Sequence, residues 1–192
     1  MSLYVNLEKI IKMTVRERLI NTASDLFYQN GYNNTGINEV IEKAKVAKAS
    51  LYTHYKTKDD LCVAYLQHKE EQFLGDLKGL LIGKPKGKLK LLGLFDHLRE
   101  VYRHDDFKGD HCVNILAEIP KEHKKIREEV TKHKSNLRSY IQELVEENSD
   151  TQYPDKLTNK LFLLFEGALM QSYVVQDSWP IKEAKDIALN LI

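Results

Sequence analysis

Between Glu42 and Leu61 the chain reads EKAKVAKASLYTHYKTKDDL. Its large apolar residues are sparse, at Val46, Leu51 and Tyr55, and Lys48, Ser50, Tyr52, Thr53, His54 and Lys58 crowd the space around them. At helical spacing Leu51 and Tyr55 are an i, i+4 pair that points inward with Val46. Lys48 with Tyr52, Ala49 with Thr53 and Ser50 with His54 form three more such pairs on the remaining surface. Small residues allow close approach, and hydroxyl, aromatic and cationic groups can meet base edges and phosphates in a DNA major groove.

A second tract, HDDFKGDHC from His104 to Cys112, brings together His104, Asp105, Asp110, His111 and Cys112. These are possible ligand types for a zinc-like ion, but their spacing matches no compact structural zinc pattern. No metal is expected there. His97, His123 and His133 read as solvated helix-face residues. Enzyme chemistry has no support: the chain shows no Gly-rich phosphate loop after a strand, no nucleophile elbow and no HExxH. No catalytic residue and no cofactor is expected.

The elements that must position the Glu42–Leu61 residues are helices. TVRE at Thr14–Glu17 is a capping box, and Leu19, Ala23 and Leu26 follow with Ile20 and Phe27 beside them, up to the stop at Asn30-Gly31. Ile37, Val40, Ile41 and Ala44 give a two-turn amphipathic helix, followed after three residues by a short helix over Lys48–Tyr55. Two short helices joined by such a turn form a helix-turn-helix candidate. A long helix from Lys58 to Ile82 ends at GKPKGK, and further helices are expected over Leu89–His104, Cys112–Ile119, Lys121–Glu147, Leu157–Val175 and after Trp179-Pro180. A helix over Leu3–Lys12 is also possible. No strand pattern of any length is present, so the fold is all-α, with about nine helices.

Composition bounds the partners. The 192 residues are 42% hydrophobic and 30% charged, the balance of a soluble globular chain. Formal net charge is +1, so any nucleic-acid contact must come from a local patch. The Lys121–Lys134 run alternates acids with bases and reads as a solvated face. No run approaches the roughly 18 apolar residues that span a bilayer, and no secretory core opens the chain. Cys62 and Cys112 form no framework of closely spaced pairs and suit a reducing cytosol, so a cytoplasmic protein with no membrane partner is expected.

Residues from about Arg16 to Leu66 resemble the DNA-binding domain of the TetR family of bacterial transcriptional regulators. The resemblance lies in NGY..T before the second helix, I..A.V.K.SLY.HY through the turn, and K.K.DL opening the fourth. It implies an N-terminal three-helix DNA-binding domain over 14–60, joined by a long fourth helix to an effector-binding and dimerisation domain over 61–192. Lys48, Ala49, Ser50 and Thr53 would lie against base edges, while Tyr52 and His54 would contact the backbone. Lys58 would meet a phosphate at the start of the fourth helix, and Thr35 and Gly36 would reach the same strand from the second.

Three positions depart from the family pattern. Lys45 stands where Gly is usual, and a left-handed Lys costs on the order of 1 kcal/mol; it offers an extra phosphate contact in exchange. Ala47 replaces a capping hydroxyl worth about 0.5–2 kcal/mol. Gly36 replaces another, with Glu39 three residues on in support. The turn is expected to be held mainly by Val46, Leu51 and Tyr55.

One short helix reads only a few base pairs, so a symmetric dimer on a palindrome is expected. The resemblance implies that the last two helices form its interface, with Phe162, Phe165, Ala168 and Tyr173 as contacts beside Gly167 and Met170. It also implies a small-molecule effector in the C-terminal helices, for which Leu94, Leu98, Tyr102, Phe107, Val113, Leu116, Ile141 and Phe165 are candidate lining residues. The expected function is a repressor released from an operator by that effector. The alternatives are a helical sensor or adaptor of the same fold that binds DNA weakly or not at all, and a thiol- or metal-responsive regulator using Cys112.

Overall fold

The computed structural model describes residues 13–104 and 107–192. The possible helix over Leu3–Lys12, and Asp105 of the polar tract, lie outside the described residues. Nine helices are described: α1 (Val15–Asn34), α2 (Ile37–Ala44), α3 (Lys48–His54), α4 (Lys58–Ile82), α5 (Lys88–Tyr102), α6 (His111–Glu118), α7 (Lys124–Asn148), α8 (Pro154–Val175) and α9 (Trp179–Leu191). Among the described residues no strand occurs. No helix of these is long and apolar enough to cross a membrane.

Chain contacts divide the protein into two units, one running to Lys69 and resuming over Cys112–Val130, the other made of Glu70–His111 and Thr131–Ile192. This differs from the contiguous division at 60/61. Leu61, Cys62, Tyr65 and Leu66 of α4 and Cys112, Ile115, Ile119, Ile126 and Val130 all bury their side chains in the first core. Apolar burial of about 1.5–3 kcal/mol per large side chain sets that membership, whatever the distance along the chain.

In the first unit, α1 begins at the predicted box. The Thr14 N–H donates to Glu17 Oε2 (2.7 Å) and the Glu17 N–H to Thr14 Oγ1 (3.2 Å). Leu19, Ala23, Leu26 and Phe27 form its buried stripe, and it bends at Gly31, where φ is +80° and ψ 177°. Val40 and Ala44 of α2 and Leu51 of α3 complete the three-helix head.

In the second unit, Leu91, Leu94, Phe95 and Leu98 of α5 share a core with Leu137, Ile141 and Leu144 of α7. Leu157, Leu161 and Phe165 of α8 and Ile181, Ala184 and Ala188 of α9 join them. One buried charge here is paired twice: Asp110 holds Lys134, which also meets Glu166 at 2.7 Å. Although burial opposes its charge, those two carboxylates raise the Lys134 pKa above the ordinary lysine value.

The histidines differ from the expectation. His97 and His133 are buried, at 4% exposure each. His123 is partly buried and its Nδ1 lies 2.9 Å from Asp59 Oδ2. The spacing of each placed it on a polar helix face, but the neighbours that cover it come from elsewhere in the chain.

Candidate nucleic-acid interface

The pair α2–α3 is joined by Lys45, Val46 and Ala47. Lys45 adopts the left-handed conformation anticipated for it, φ 52° and ψ 51°. The Lys45 N–H donates to Glu42 O (3.1 Å) and the Val46 N–H to Ile41 O (3.2 Å), a closure that satisfies the last carbonyls of α2. Val46 is half-buried against the core below it.

Sequence reasoning missed one further brace. The Arg18 guanidinium, from α1, donates through Nη1 to the carbonyls of Ala44 (3.4 Å) and Lys45 (3.1 Å). A lone arginine on a helix carries no spacing signal for a carbonyl pair 26 and 27 residues away. Neither Gly36 nor Ala47 makes a side-chain cap bond, as their residue types require.

The reading face emerges as described from spacing. Leu51 and Tyr55 are buried, whereas Lys45, Lys48, Ala49, Tyr52, Thr53 and His54 are exposed and Ser50 is half-exposed. Tyr52, a large side chain at 45% exposure, stands clear of the core. Thr53 Oγ1 donates to Ala49 O (3.0 Å), so its hydroxyl proton is engaged by its own helix. Thr35 is different: its side chain is 1% exposed and its hydroxyl donates to Gly31 O (2.7 Å). The hydroxyl expected to reach DNA instead fastens the bend that precedes α2, and of Thr35 and Gly36 only Gly36 is exposed.

At the start of α4, Thr57 and Asp60 form a reciprocal cap, Thr57 N–H to Asp60 Oδ2 at 3.0 Å and Asp60 N–H to Thr57 Oγ1 at 3.1 Å. The hydrogen bond from Lys125 leads the causes that lower the Asp60 pKa. Lys58 is half-buried: its amine sits 4.3 Å above the Tyr32 ring and donates to Asn33 O at 3.4 Å. Burial lowers its pKa below the ordinary lysine value. Tyr32 is itself anchored by its hydroxyl, which donates to Asp59 Oδ1, while His123 takes the other Asp59 oxygen. Burial first, and then Asp59, push the Tyr32 phenol well up.

The remaining expected residues lie apart from this face. Leu94, Leu98, Ile141 and Phe165 are wholly buried in the second core, with Tyr102 and Phe107 packed partly against it. Val113 and Leu116 belong to the first unit and do not join them. Phe165 (0% exposed) and Ala168 (4%) point into the core, so they are not surface contacts for a second copy. Phe162 packs partly against the core, and Tyr173 meets Phe107 with ring centroids 6.2 Å apart. Of the His104–Cys112 tract, Cys112 is buried within the first core and Asp110 is the ion partner of Lys134.

An all-α chain that presents a polar helix face beside a braced turn has the architecture of a helix-turn-helix regulator. Residues 19–65 match the family described as bacterial regulatory proteins, tetR family. The regulator QacR of Staphylococcus aureus is 33% identical over 61 residues, 32% of either chain. The repressor NemR of Escherichia coli is 23% identical over 185 residues, 92% of this chain and 93% of that one. Among solved structures, a TetR-family regulator from Streptomyces coelicolor superposes with a TM-score of 0.81 at 23% identity, covering 92% of this chain and 94% of that one. Reduced E. coli NemR superposes at 0.76 and 21% identity, covering 93% and 97%. Residues 19–65 are thus a helix-turn-helix domain of the tetR family of bacterial regulatory proteins, and the chain as a whole shares the fold of TetR-family regulators.

Proposed function

We propose that the protein is a homodimeric repressor that binds a palindromic operator through α3 and is released when a small molecule enters the second unit. The exposed Lys48–His54 face above the buried Leu51 and Tyr55 carries the DNA-binding part of this reading. Lys48, Ala49, Ser50 and Thr53 would face bases, and Tyr52, His54, Lys45, Gly36 and Lys58 the backbone. The name of NemR as a repressor supports the sign of regulation.

For the dimer, the exposed apolar residues of α8 and α9 support an interface on their outer faces. Leu163 and Val174 are 68% and 65% exposed, and Trp179, Ile187 and Leu191 of α9 are also exposed. A side chain added at Gly167 would meet nothing within 4 Å, so a partner helix has room to approach there.

For the effector, His97 supports a pocket in the second unit. It is buried, its Nε2 has no hydrogen-bond partner among the described residues, and its ring lies 4.7 Å from that of Phe73, itself 6.0 Å from Phe165. A neutral aromatic ligand with one hydrogen-bonding group would satisfy that nitrogen. Isothermal titration of the purified protein with a panel of such compounds, read against release of a promoter duplex, tests the coupling. Compounds that bind without changing DNA affinity would refute effector release, since a ligand shifts only an equilibrium it favours unequally.

A further inference from the structure

We infer that Glu118, the last residue of α6, is a positioning residue for DNA contact. Its carboxylate fills the bend at Gly31 and holds the α1–α2 corner in the shape that presents Gly36 and Lys58. The inference rests on the DNA-binding reading of α3 and of the corner beside it.

Gly31, at φ +80° and ψ 177°, occupies a conformation essentially restricted to glycine. It is also required by space: a Cβ there would fall 2.0 Å from Glu118 Oε1 and 2.6 Å from Glu118 Cδ. The bend therefore both turns the chain and admits a carboxylate from 87 residues further on. Glu118 Oε2 accepts the Asn33 N–H at 2.8 Å, and the Glu118 carbonyl accepts from Asn33 Nδ2 at 3.0 Å. A charged acceptor on a backbone N–H makes a bond roughly twice as strong as a neutral one.

The two residues so held are those that organise the corner. The Asn33 carbonyl accepts from the Lys58 amine (3.4 Å), and the Gly31 carbonyl accepts from the Thr35 hydroxyl (2.7 Å). Asn33, Asn34 and Gly36 are exposed, so packing lends this corner little rigidity. Glu118 supplies the order in its place, and all of these groups lie within the first unit.

The test uses the full chain with Glu118→Ala, Glu118→Gln and, as a direct-contact control, Lys48→Ala. Two quantities are read: affinity for a palindromic duplex from the protein's own promoter across a salt series, and hydrogen exchange at the Asn33 amide without DNA. Glu118→Ala should weaken binding about tenfold with the salt slope kept, because no phosphate contact is lost. Its Asn33 amide should exchange about tenfold faster, and Glu118→Gln, which retains an acceptor oxygen, should restore most of both. Should the alanine variant not fold, Glu118→Asp, which retracts the charge by one methylene, must move both quantities in the same direction. Unchanged Asn33 exchange overturns the inference outright. Faster exchange with unchanged affinity overturns it too, leaving Glu118 a purely structural brace. A parent protein that binds no such duplex, while exchange still accelerates in the variant, removes the DNA-binding reading itself and the positioning role with it.

Discussion

The Arg18 guanidinium donates to the carbonyl of Lys45 at 3.1 Å and to that of Ala44 at 3.4 Å, bridging α1 to the turn of the helix-turn-helix. Lys45 is held left-handed at that point, where a side chain costs energy and glycine would not. The brace and the closure of α2 by the Lys45 and Val46 N–H groups together fix the angle at which α3 leaves the head.

Lys45→Gly should therefore stabilise the protein by roughly 1 kcal/mol, because the strain of the left-handed lysine is removed. Arg18→Ala should destabilise it by about 1–2 kcal/mol through the loss of two bonds from a charged donor. Urea unfolding of the two variants measures both, and a loss of stability in Lys45→Gly would show that the lysine side chain makes a contact outweighing its strain.

The second prediction concerns acid. Burial first of all depresses the His97 pKa from 6.5 to about 4, against the pull of Asp76 and Glu100. The native state then refuses a proton that the unfolded chain accepts, so stability is complete above pH 6.5 and falls as pH drops toward 4. Below about 4 the native state takes the proton as well and the loss stops growing. The total is on the order of 3 kcal/mol. Stability curves of the parent and His97→Gln between pH 7 and 4 should diverge by that amount, with the variant less acid-sensitive. Parallel curves would contradict the burial argument, because the remaining carboxylates titrate in both proteins.

The third prediction places the dimer. Leu163→Glu or Val174→Lys should yield monomers by light scattering and weaken operator binding by roughly a hundredfold or more, since two linked heads gain far more than one. Intact dimers in both variants would move the interface away from α8. Charge at Phe165 or Ala168 would not test the same thing, since both side chains sit in the core and unfolding would be the result.

Much of this was legible in the chain itself. Thr14 and Glu17, a break at Gly31 (a bend within α1 where a stop was expected), and the span Lys58–Ile82 were readable because caps, breakers and helical periodicity are local signals. The face of α3 was readable because its apolar residues are few. The face of α8 was not: a helix apolar nearly all round does not say which side is inner, and Phe165 and Ala168 were assigned outward for that reason. Glu118, His123 and Arg18 were missed for a different cause. Their partners Asn33, Asp59 and Lys45 lie 85, 64 and 27 residues away, and only tertiary packing brings them together.

Binding of a palindromic duplex from the protein's own promoter by the parent and by the Lys48→Ala, Tyr52→Ala, Lys58→Ala variant, across a salt series, tests most directly that α3 reads DNA. The triple change should cost several kcal/mol in total and shallow the salt slope by about one, for the loss of Lys58 from a phosphate. Equal affinity and an equal slope for the variant would contradict the assignment of α3 as the recognition helix.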